Sequence, residues 1–217
     1  MTGSAKGRRP RLKRLLLGGS LLLLAALLVY LPLIRPWQLR WGATDAEVAR
    51  PLPGDDFVAE PTFNATRAVS VNAPPEAIWP WLIQIGHTRA GWYSYDWIDN
   101  LGKPSADRIL PELQDLKEGD LIPVSPDGKQ GFRVDTLVPN HYMLWGAAGE
   151  MSWLWYLDPV AARQTRLITR VRMRYRWTHP SIVFSLAVDV GDIVMMRRCL
   201  LGIKQRAEDL AQRTGAS

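Results

Sequence analysis

The sequence predicts an α+β protein: a curved antiparallel β-sheet wrapped around one long C-terminal helix, preceded by one transmembrane helix. Three observations carry this prediction. Residues 15–34 form an apolar run without a charge, residues 120–177 hold successive strand-like runs separated by turns, and residues 190–213 repeat apolar side chains at helical spacing. A sheet and an amphipathic helix with one apolar face each bury those faces against one another.

The N-terminal run, LLLGGSLLLLAALLVYLPLI, predicts a membrane anchor. At about 1.5 Å per residue, a helix of this length crosses a hydrocarbon core of about 30 Å. The run is longer than the apolar part of a signal peptide, and no small-x-small cleavage triplet follows it, which favours an uncleaved anchor. Six Lys and Arg residues precede it, so the positive-inside rule predicts a cytoplasmic N-terminus and an extracytoplasmic domain at the cell membrane. Trp37 and Trp41 suit either an interfacial aromatic belt or packing on the domain.

The predicted organisation has four segments. They are a basic cytoplasmic N-terminus (1–14), the anchor (15–34), a Pro-rich connector (35–64) and a globular domain (65–217). Prolines and Gly54 argue against a long regular element in the connector. We therefore expect an ordered tether that wraps the domain, with one short helix at 44–49 capped by Thr44 or Asp45.

The domain begins with a strand at 65–72, where Val69 and Val71 share one face. A helix follows from Pro75 and ends at Gly86, with Pro80 expected to kink it. Its apolar stripe consists of Ile78, Trp81, Leu82 and Ile85. One or two further short helices are expected, around 94–101 and 106–110.

Five strand-like runs follow, at 120–124, 131–138, 141–147, 152–157 and 163–177. Their turns are predicted at 126–129, where an Asp-Gly pair indicates a hairpin, at 139–140 and at 158–159. In the last strand, four arginines alternate with apolar residues: Arg170, Arg172, Arg174 and Arg176. A solvated outer sheet face explains them better than binding of acidic headgroups.

The C-terminal helix is predicted over 190–213, with an apolar stripe that faces the sheet. The apolar run before it, SIVFSLAV, is too short for a second membrane span, and Asp189 and Asp192 interrupt its continuation.

Composition excludes several functions. The net charge of +6 arises from 27 Lys and Arg against 21 Asp and Glu, and six of the basic residues belong to the N-terminal cluster, so a nucleic-acid partner is not expected. A lone Cys199 excludes an intrachain disulfide. His87, His141 and His179 lack metal-ligand spacing, so neither a metal nor a cofactor is expected. No nucleophile elbow or phosphate-binding glycine loop is present.

Several strings resemble the SRPBCC superfamily, also called START-like or helix-grip, which includes polyketide cyclase-like proteins. They are RWGATDAEVARPLPGDD (40–56), APPEAIWPWLIQIG (73–86), AGWYSYDWIDN (90–100), SADRILPELQDLKEGDLIP (105–123) and MMRRCLLGIKQRAE (195–208). Within it, the chain is similar to an uncharacterised bacterial branch with an N-terminal anchor. The resemblance covers about 41–213 and implies a helix-grip fold with a deep apolar pocket for a hydrophobic small molecule or lipid. It implies no shared catalytic set.

The candidate ligand-binding residues are mainly aromatic. They are Trp81, Trp92, Tyr93, Tyr95, Asp96, Arg108, Trp145, Trp153 and Trp155. Aromatic rings around an apolar cavity would clasp the ligand, and Asp96, Arg89 or Arg108 would orient its polar end.

Two alternatives use the same segment. Tyr93, Tyr95, Asp96 and Arg108 could polarise a carbonyl in a cyclase- or hydrolase-type reaction, although no recognisable catalytic motif is present. In the structural alternative, Trp92, Tyr93 and Trp97 fill the core, and Asp96 pairs with Arg108 as a buried clamp or, like Ser94, merely caps a helix. The sequence therefore predicts membrane-anchored binding of a hydrophobic ligand, with an enzyme or a side-chain-filled interaction module as alternatives.

Overall fold

The computed structural model describes residues 8–180 and 182–215, so the first seven residues of the predicted basic N-terminus lie outside the described residues. The chain divides between Gln38 and Leu39 into two compact units. Helix α1 (Arg8–Val29) continues through a π-helical turn (Tyr30–Ile34) into helix α2 (Arg35–Leu39). Among the described residues, one helical stretch, Leu17–Leu39, is long and apolar enough to cross a membrane, with a mean hydropathy of 2.3.

The second unit is built on one six-stranded antiparallel sheet. Its strands are β1 (Phe63–Val71), β2 (Leu121–Pro123), β3 (Gly131–Val138), β4 (Tyr142–Ala147), β5 (Met151–Ala161) and β6 (Gln164–Met173). They lie in the order β1-β6-β5-β4-β3-β2. The first strand therefore pairs with the last, and the chain between β1 and β2 crosses the sheet.

Four helices complete this unit: α3 (Asp45–Ala49), α4 (Pro75–Ile83), α5 (Asp96–Asp99) and α6 (Ile182–Gly215). Helices α4 and α6 pack against each other and against the sheet. Thr44 caps α3 in a capping box with Glu47, as one of the two expected caps. The curved sheet with a long C-terminal helix packed on it confirms the predicted α+β class.

The sheet has an inner face, turned to α4 and α6, and an outer face, turned to the connector. Side chains alternate between the faces, so inner Leu167 and outer Ile168 are neighbours in β6. The inner face carries the largest core cluster, which includes Trp145, Trp155 and Leu200 of α6. On the outer face, Ala68, Leu144, Leu154 and Ile168 pack beneath Leu52 and Phe57 of the connector.

The prediction of a solvated arginine face was wrong for Arg170 and Arg172, which the connector covers. Arg170 is 3% exposed and binds the backbone carbonyls of Glu47, Val48 and Arg50. Arg172 binds the carbonyl of Val58. These contacts replace solvent, because a guanidinium offers five donors and the connector offers carbonyls without strand partners. Arg174 and Arg176 are exposed, but they lie beyond the sheet, because β6 ends at Met173 instead of 177.

Predicted and observed boundaries differ at several elements. Helix α6 begins at Ile182 instead of 190, and it contains Asp189, which accepts a hydrogen bond from Tyr175, and Asp192, which pairs with Arg67. Strand β5 continues through Pro159 to a bulge, beyond the end of its pairing with β4, where a proline costs no ladder bond on that side. The helix expected at 106–110 is replaced by a 3₁₀ turn at Pro111–Leu113.

Candidate functional site

The predicted site residues lie in three places. Trp92, Trp145, Trp153 and Trp155 join one aromatic cluster on the inner face. Trp81 and Arg108 line a cleft beside α6, whereas Tyr95 and Asp96 line a separate surface pocket of about 560 Å³. Tyr93 is buried between α4 and α6.

The aromatic cluster is created by strand register. Trp145 of β4 lies directly opposite Trp153 of β5, and Trp155 follows two residues later on the same face. The Trp92 and Trp153 rings stack with centroids 5.9 Å apart, and Phe132 stacks on Trp145 at 6.2 Å. Trp145 and Trp155 are fully buried, while the other three rings are half-buried. The rings are therefore in contact with one another, and the half-buried members form the exposed side of the cluster.

The indole N–H groups of this cluster are not equally satisfied. Trp153 Nε1 donates to the hydroxyl of Thr169 at 2.9 Å. Trp145 Nε1 and Trp155 Nε1 are buried and have no hydrogen-bond partner among the described residues. An unpaired buried donor costs about 1–3 kcal/mol, so an acceptor that reached either indole would be bound favourably.

Tyr93 occupies a fixed, structural position. Its backbone φ is 55°, and a Cβ built on Gly202 of α6 would lie 2.1 Å from the Tyr93 carbonyl oxygen, so α6 must carry a glycine there. The Tyr93 hydroxyl accepts from Gln84 Nε2 at 2.9 Å and donates to the Trp81 carbonyl at 3.2 Å. Burial raises the pKa of the Tyr93 phenol, which makes it a poor proton donor or acceptor at neutral pH.

Gln84, the residue that follows α4, is fully buried and makes four side-chain hydrogen bonds. The sequence does not indicate this role, because Gln84 stands between two apolar isoleucine residues. Its Nε2 donates to Tyr93 and to the Arg108 carbonyl, and its Oε1 accepts from Leu110 N and Gln114 Nε2. The amide thereby joins the end of α4 to the segment before β2. All of its hydrogen-bonding capacity is used within the protein.

The expected clamp between Asp96 and Arg108 was wrong. Asp96 Oδ1 accepts from Asn100 Nδ2 at 2.7 Å and Ser105 Oγ at 2.6 Å, and Arg108 is exposed. Trp97 does not fill the core either, since it is 75% exposed. The four residues of the catalytic alternative are thus divided between a buried position, a surface pocket and a cleft.

Neither expected cap serves α5. Its N-cap residue is Tyr95, which makes no side-chain cap, and Ser94 Oγ instead donates to the Met195 carbonyl at 3.1 Å. Ser94 therefore ties the α5 segment to α6. Within residues 8–180 and 182–215, no group of three or more His, Cys, Asp or Glu is placed to hold a metal ion.

The cleft that contains Trp81 and Arg108 has a volume of about 630 Å³ and a mostly charged rim. Helix α6 contributes Arg198, Arg206 and Asp209 to it. Arg206 is held in place by a hydrogen bond to the Ala106 carbonyl at 2.8 Å. The α6 residues were missed as site residues because charges off the apolar stripe of a helix look like an ordinary solvated face.

No known family profile and no curated protein sequence matches this chain. Solved structures of similar arrangement include the Aha1 dimer from Colwellia psychrerythraea, at 20% identity and TM-score 0.40, covering 67% of this chain and 96% of that one. A protein from Thermobifida fusca is 12% identical with a TM-score of 0.43, and the match covers 68% of this chain and 94% of that protein's chain. DynU16, from the dynemicin biosynthetic locus, is 20% identical with a TM-score of 0.37, and the match covers 64% of this chain and 46% of the DynU16 chain. Such distant likeness transfers no function.

Proposed function

We propose that this chain is a single-pass membrane protein whose domain binds a hydrophobic small molecule or lipid on the inner face of the sheet. The observation that supports this proposal is the aromatic cluster, in which two buried indole N–H groups lack a partner within the described part of the chain. An apolar molecule gains roughly 25 cal/mol for each Å² removed from water. An acceptor oxygen on the same molecule would satisfy Trp145 or Trp155. The ligand class is therefore an apolar molecule that carries a carbonyl or hydroxyl oxygen.

The membrane position follows from the N-terminal helix. Leu17–Leu39 supplies the span, and the basic residues before it favour a cytoplasmic N-terminus with the domain outside. A tether of this kind raises the effective concentration of the domain near lipid-dissolved ligands. A reporter that is active only in the cytoplasm, fused after Ser217, should be inactive; an active reporter would reverse the orientation.

The ligand is tested on residues 39–217, which form a compact unit that we expect to fold alone. Native mass spectrometry with organic extraction should detect an apolar molecule at about one per domain. Nile red, an apolar dye with a carbonyl oxygen, should bind the emptied domain. Trp92→Ala and Trp153→Ala should each weaken its binding roughly tenfold, about 1.4 kcal/mol.

Two controls locate the site. Trp177→Ala removes an exposed indole away from the cluster and should leave dye affinity unchanged. Arg108→Ala changes the cleft and should also leave it unchanged. Loss of binding in Arg108→Ala alone would contradict the inner-face site.

The ring-to-ring contacts favour a second candidate, an interaction module whose interior is filled by its own side chains. Trp153 and Trp155 stack with centroids 5.5 Å apart, and Trp145 meets Trp155 edge to face at 5.8 Å. If that candidate is correct, the extracted domain carries no apolar molecule and takes up no dye. The enzyme alternative receives no comparable support, because its four residues do not meet.

A further inference from the structure

The first half of α6 exposes an apolar strip. Val183, Leu186, Val190 and Val194 are between 47% and 73% exposed. Their spacing of three or four residues places them on one side of the helix. Another side of the same helix is buried, for example at Met196 and Ala207. Monomeric soluble domains seldom leave such a continuous apolar face uncovered.

A second exposed apolar group extends this surface. Trp97, Ile98 and Leu101, on α5 and the turn after it, are 75%, 42% and 65% exposed. Leu101 also has a φ of 51°, a left-handed conformation that leucine seldom adopts. Trp97 lines one pocket together with Arg197 and Arg198, which follow Val194 on α6, so the two apolar groups are adjacent. We call the strip, this group and the two arginines the α5–α6 face.

The entry of the chain into the domain lies beside this face. Arg197 places its guanidinium over the ring of Trp41, 5.2 Å from the centroid. Leu39, the last residue of the apolar helix, packs in the same cluster as Ile182 at the start of α6. Leu39, the residue at which the apolar helix joins the domain, therefore lies close to the α5–α6 face.

We propose that the α5–α6 face rests on the bilayer from which the chain emerges, with Trp97, Leu101 and the strip in the interface and Arg197 and Arg198 against anionic lipid headgroups. This inference rests on the proposed membrane span. Tryptophan prefers headgroup depth, and arginine is attracted to acidic lipids. The occupant is a lipid surface because the exposed apolar residues, the two cations and the end of the span occur together.

The experiment uses the full chain in vesicles of phosphatidylcholine and phosphatidylglycerol that contain doxyl-labelled lipid. In a Cys199→Ala background, single cysteines are introduced as Val190→Cys and Leu101→Cys and labelled with bimane. The doxyl lipid should quench bimane at both positions several-fold more than at Ala162→Cys, an exposed position in the β5–β6 turn. Leu27→Cys, within the span, is the positive control and should be quenched fully.

The outcomes separate the two proposals. Loss of quenching at Leu27→Cys would overturn the membrane span itself. Quenching at Leu27→Cys without quenching at Val190→Cys would overturn the docking alone. Val190→Cys protected from aqueous iodide but not quenched by lipid would identify a second copy of the chain as the occupant and also overturn it.

A charge variant tests whether the arginines of the α5–α6 face contact acidic lipid. Arg198→Gln should reduce quenching at Val190→Cys by roughly half on the anionic vesicles, and pure phosphatidylcholine should give the same reduced value. Arg163→Gln, an exposed arginine in the β5–β6 turn, is the matched control and should change nothing. Equal effects of the two variants would show that the α5–α6 face has no specific contact with acidic lipid.

Discussion

The outer and inner faces of the sheet are both covered, but their buried polar groups are satisfied to different degrees. On the outer face, Arg170 uses all five N–H donors, on Thr66 Oγ1, Asp55 Oδ2 and three connector carbonyls. On the inner face, the indole N–H groups of Trp145 and Trp155 have no partner among the residues that the structure describes. The outer face is thus organised as a permanent contact. The inner face keeps hydrogen-bonding capacity that another molecule could use.

The largest effect should come from breaking the outer face. Arg170→Met keeps much of the side-chain volume but removes five hydrogen bonds and leaves Asp55 and three carbonyls without this partner. We expect the free energy of unfolding to fall by about 3–5 kcal/mol, the usual cost of breaking a buried charged network. Burial lowers the pKa of Arg170, and Asp55 opposes that change, so the guanidinium stays charged at neutral pH. Urea unfolding of residues 39–217 measures the loss.

The matched control for this variant is Arg174→Met. Arg174 directly follows the last residue of β6, and both it and its ion-pair partner Glu60 are exposed. Its loss should cost no more than about 0.5 kcal/mol. Equal costs for the two variants would mean that the connector does not hold the outer face.

Whether the sequence predicts an interaction on these two faces depends on how far apart its residues lie along the chain. The alternation of apolar and polar residues predicted the strands. Thr44 and Glu47 are three residues apart, so the capping box of α3 is a local interaction. The alternating arginines of β6 look the same whether water or a connector covers them, because their partners lie more than a hundred residues away. Asp189 and Asp192 of α6 are a second example. Each is satisfied by a residue on another element, Tyr175 or Arg67.

The sequence predicted which types of residue form the candidate site, but not which of them contact one another. The segment around Trp92 and the alternation of Trp153 and Trp155 pointed to aromatic residues on one face. Which rings meet depends on the register of β4 and β5, and local sequence does not determine that register. Asp96 and Arg108 looked like a pair by charge, yet Asn100 and Ser105 are nearer partners for Asp96. Local hydrogen bonds thus replaced the expected long-range ion pair.

A smaller effect should depend on pH. Glu47 binds Arg166 through both carboxylate oxygens, at 2.7 and 2.8 Å, and accepts from Thr44 N. Burial alone would raise the pKa of Glu47, but these hydrogen bonds hold it below 4.5. A lowered pKa gives stability that is present above the unfolded-state value and is lost as pH falls through the folded-state value. Glu47→Gln should therefore cost about 1–3 kcal/mol at pH 7.

The test compares urea unfolding of native and Glu47→Gln protein as the pH is lowered from 7 through 4.5. The difference between the two should begin to shrink as the pH falls below the unfolded-state pKa of Glu47. It should disappear below the lower folded-state pKa, where the carboxyl is protonated in both states. Glu112→Gln, at an exposed position, should give a small and constant difference. A Glu47→Gln difference that stays constant across this range would show that the carboxylate charge does not hold α3 on the sheet.

The smallest effect concerns the inner-face donors themselves. Trp153 donates to Thr169, whereas Trp145 has no partner. A double-mutant cycle of Trp153→Phe with Thr169→Val should give a coupling free energy of about 1 kcal/mol, because the cycle cancels the cost of the smaller ring. The cycle of Trp145→Phe with Thr169→Val should give a coupling near zero. Equal couplings would mean that the indoles share the Thr169 hydroxyl. The inner face would then have only the Trp155 donor left for the acceptor oxygen of a ligand, and it would differ less from the outer face.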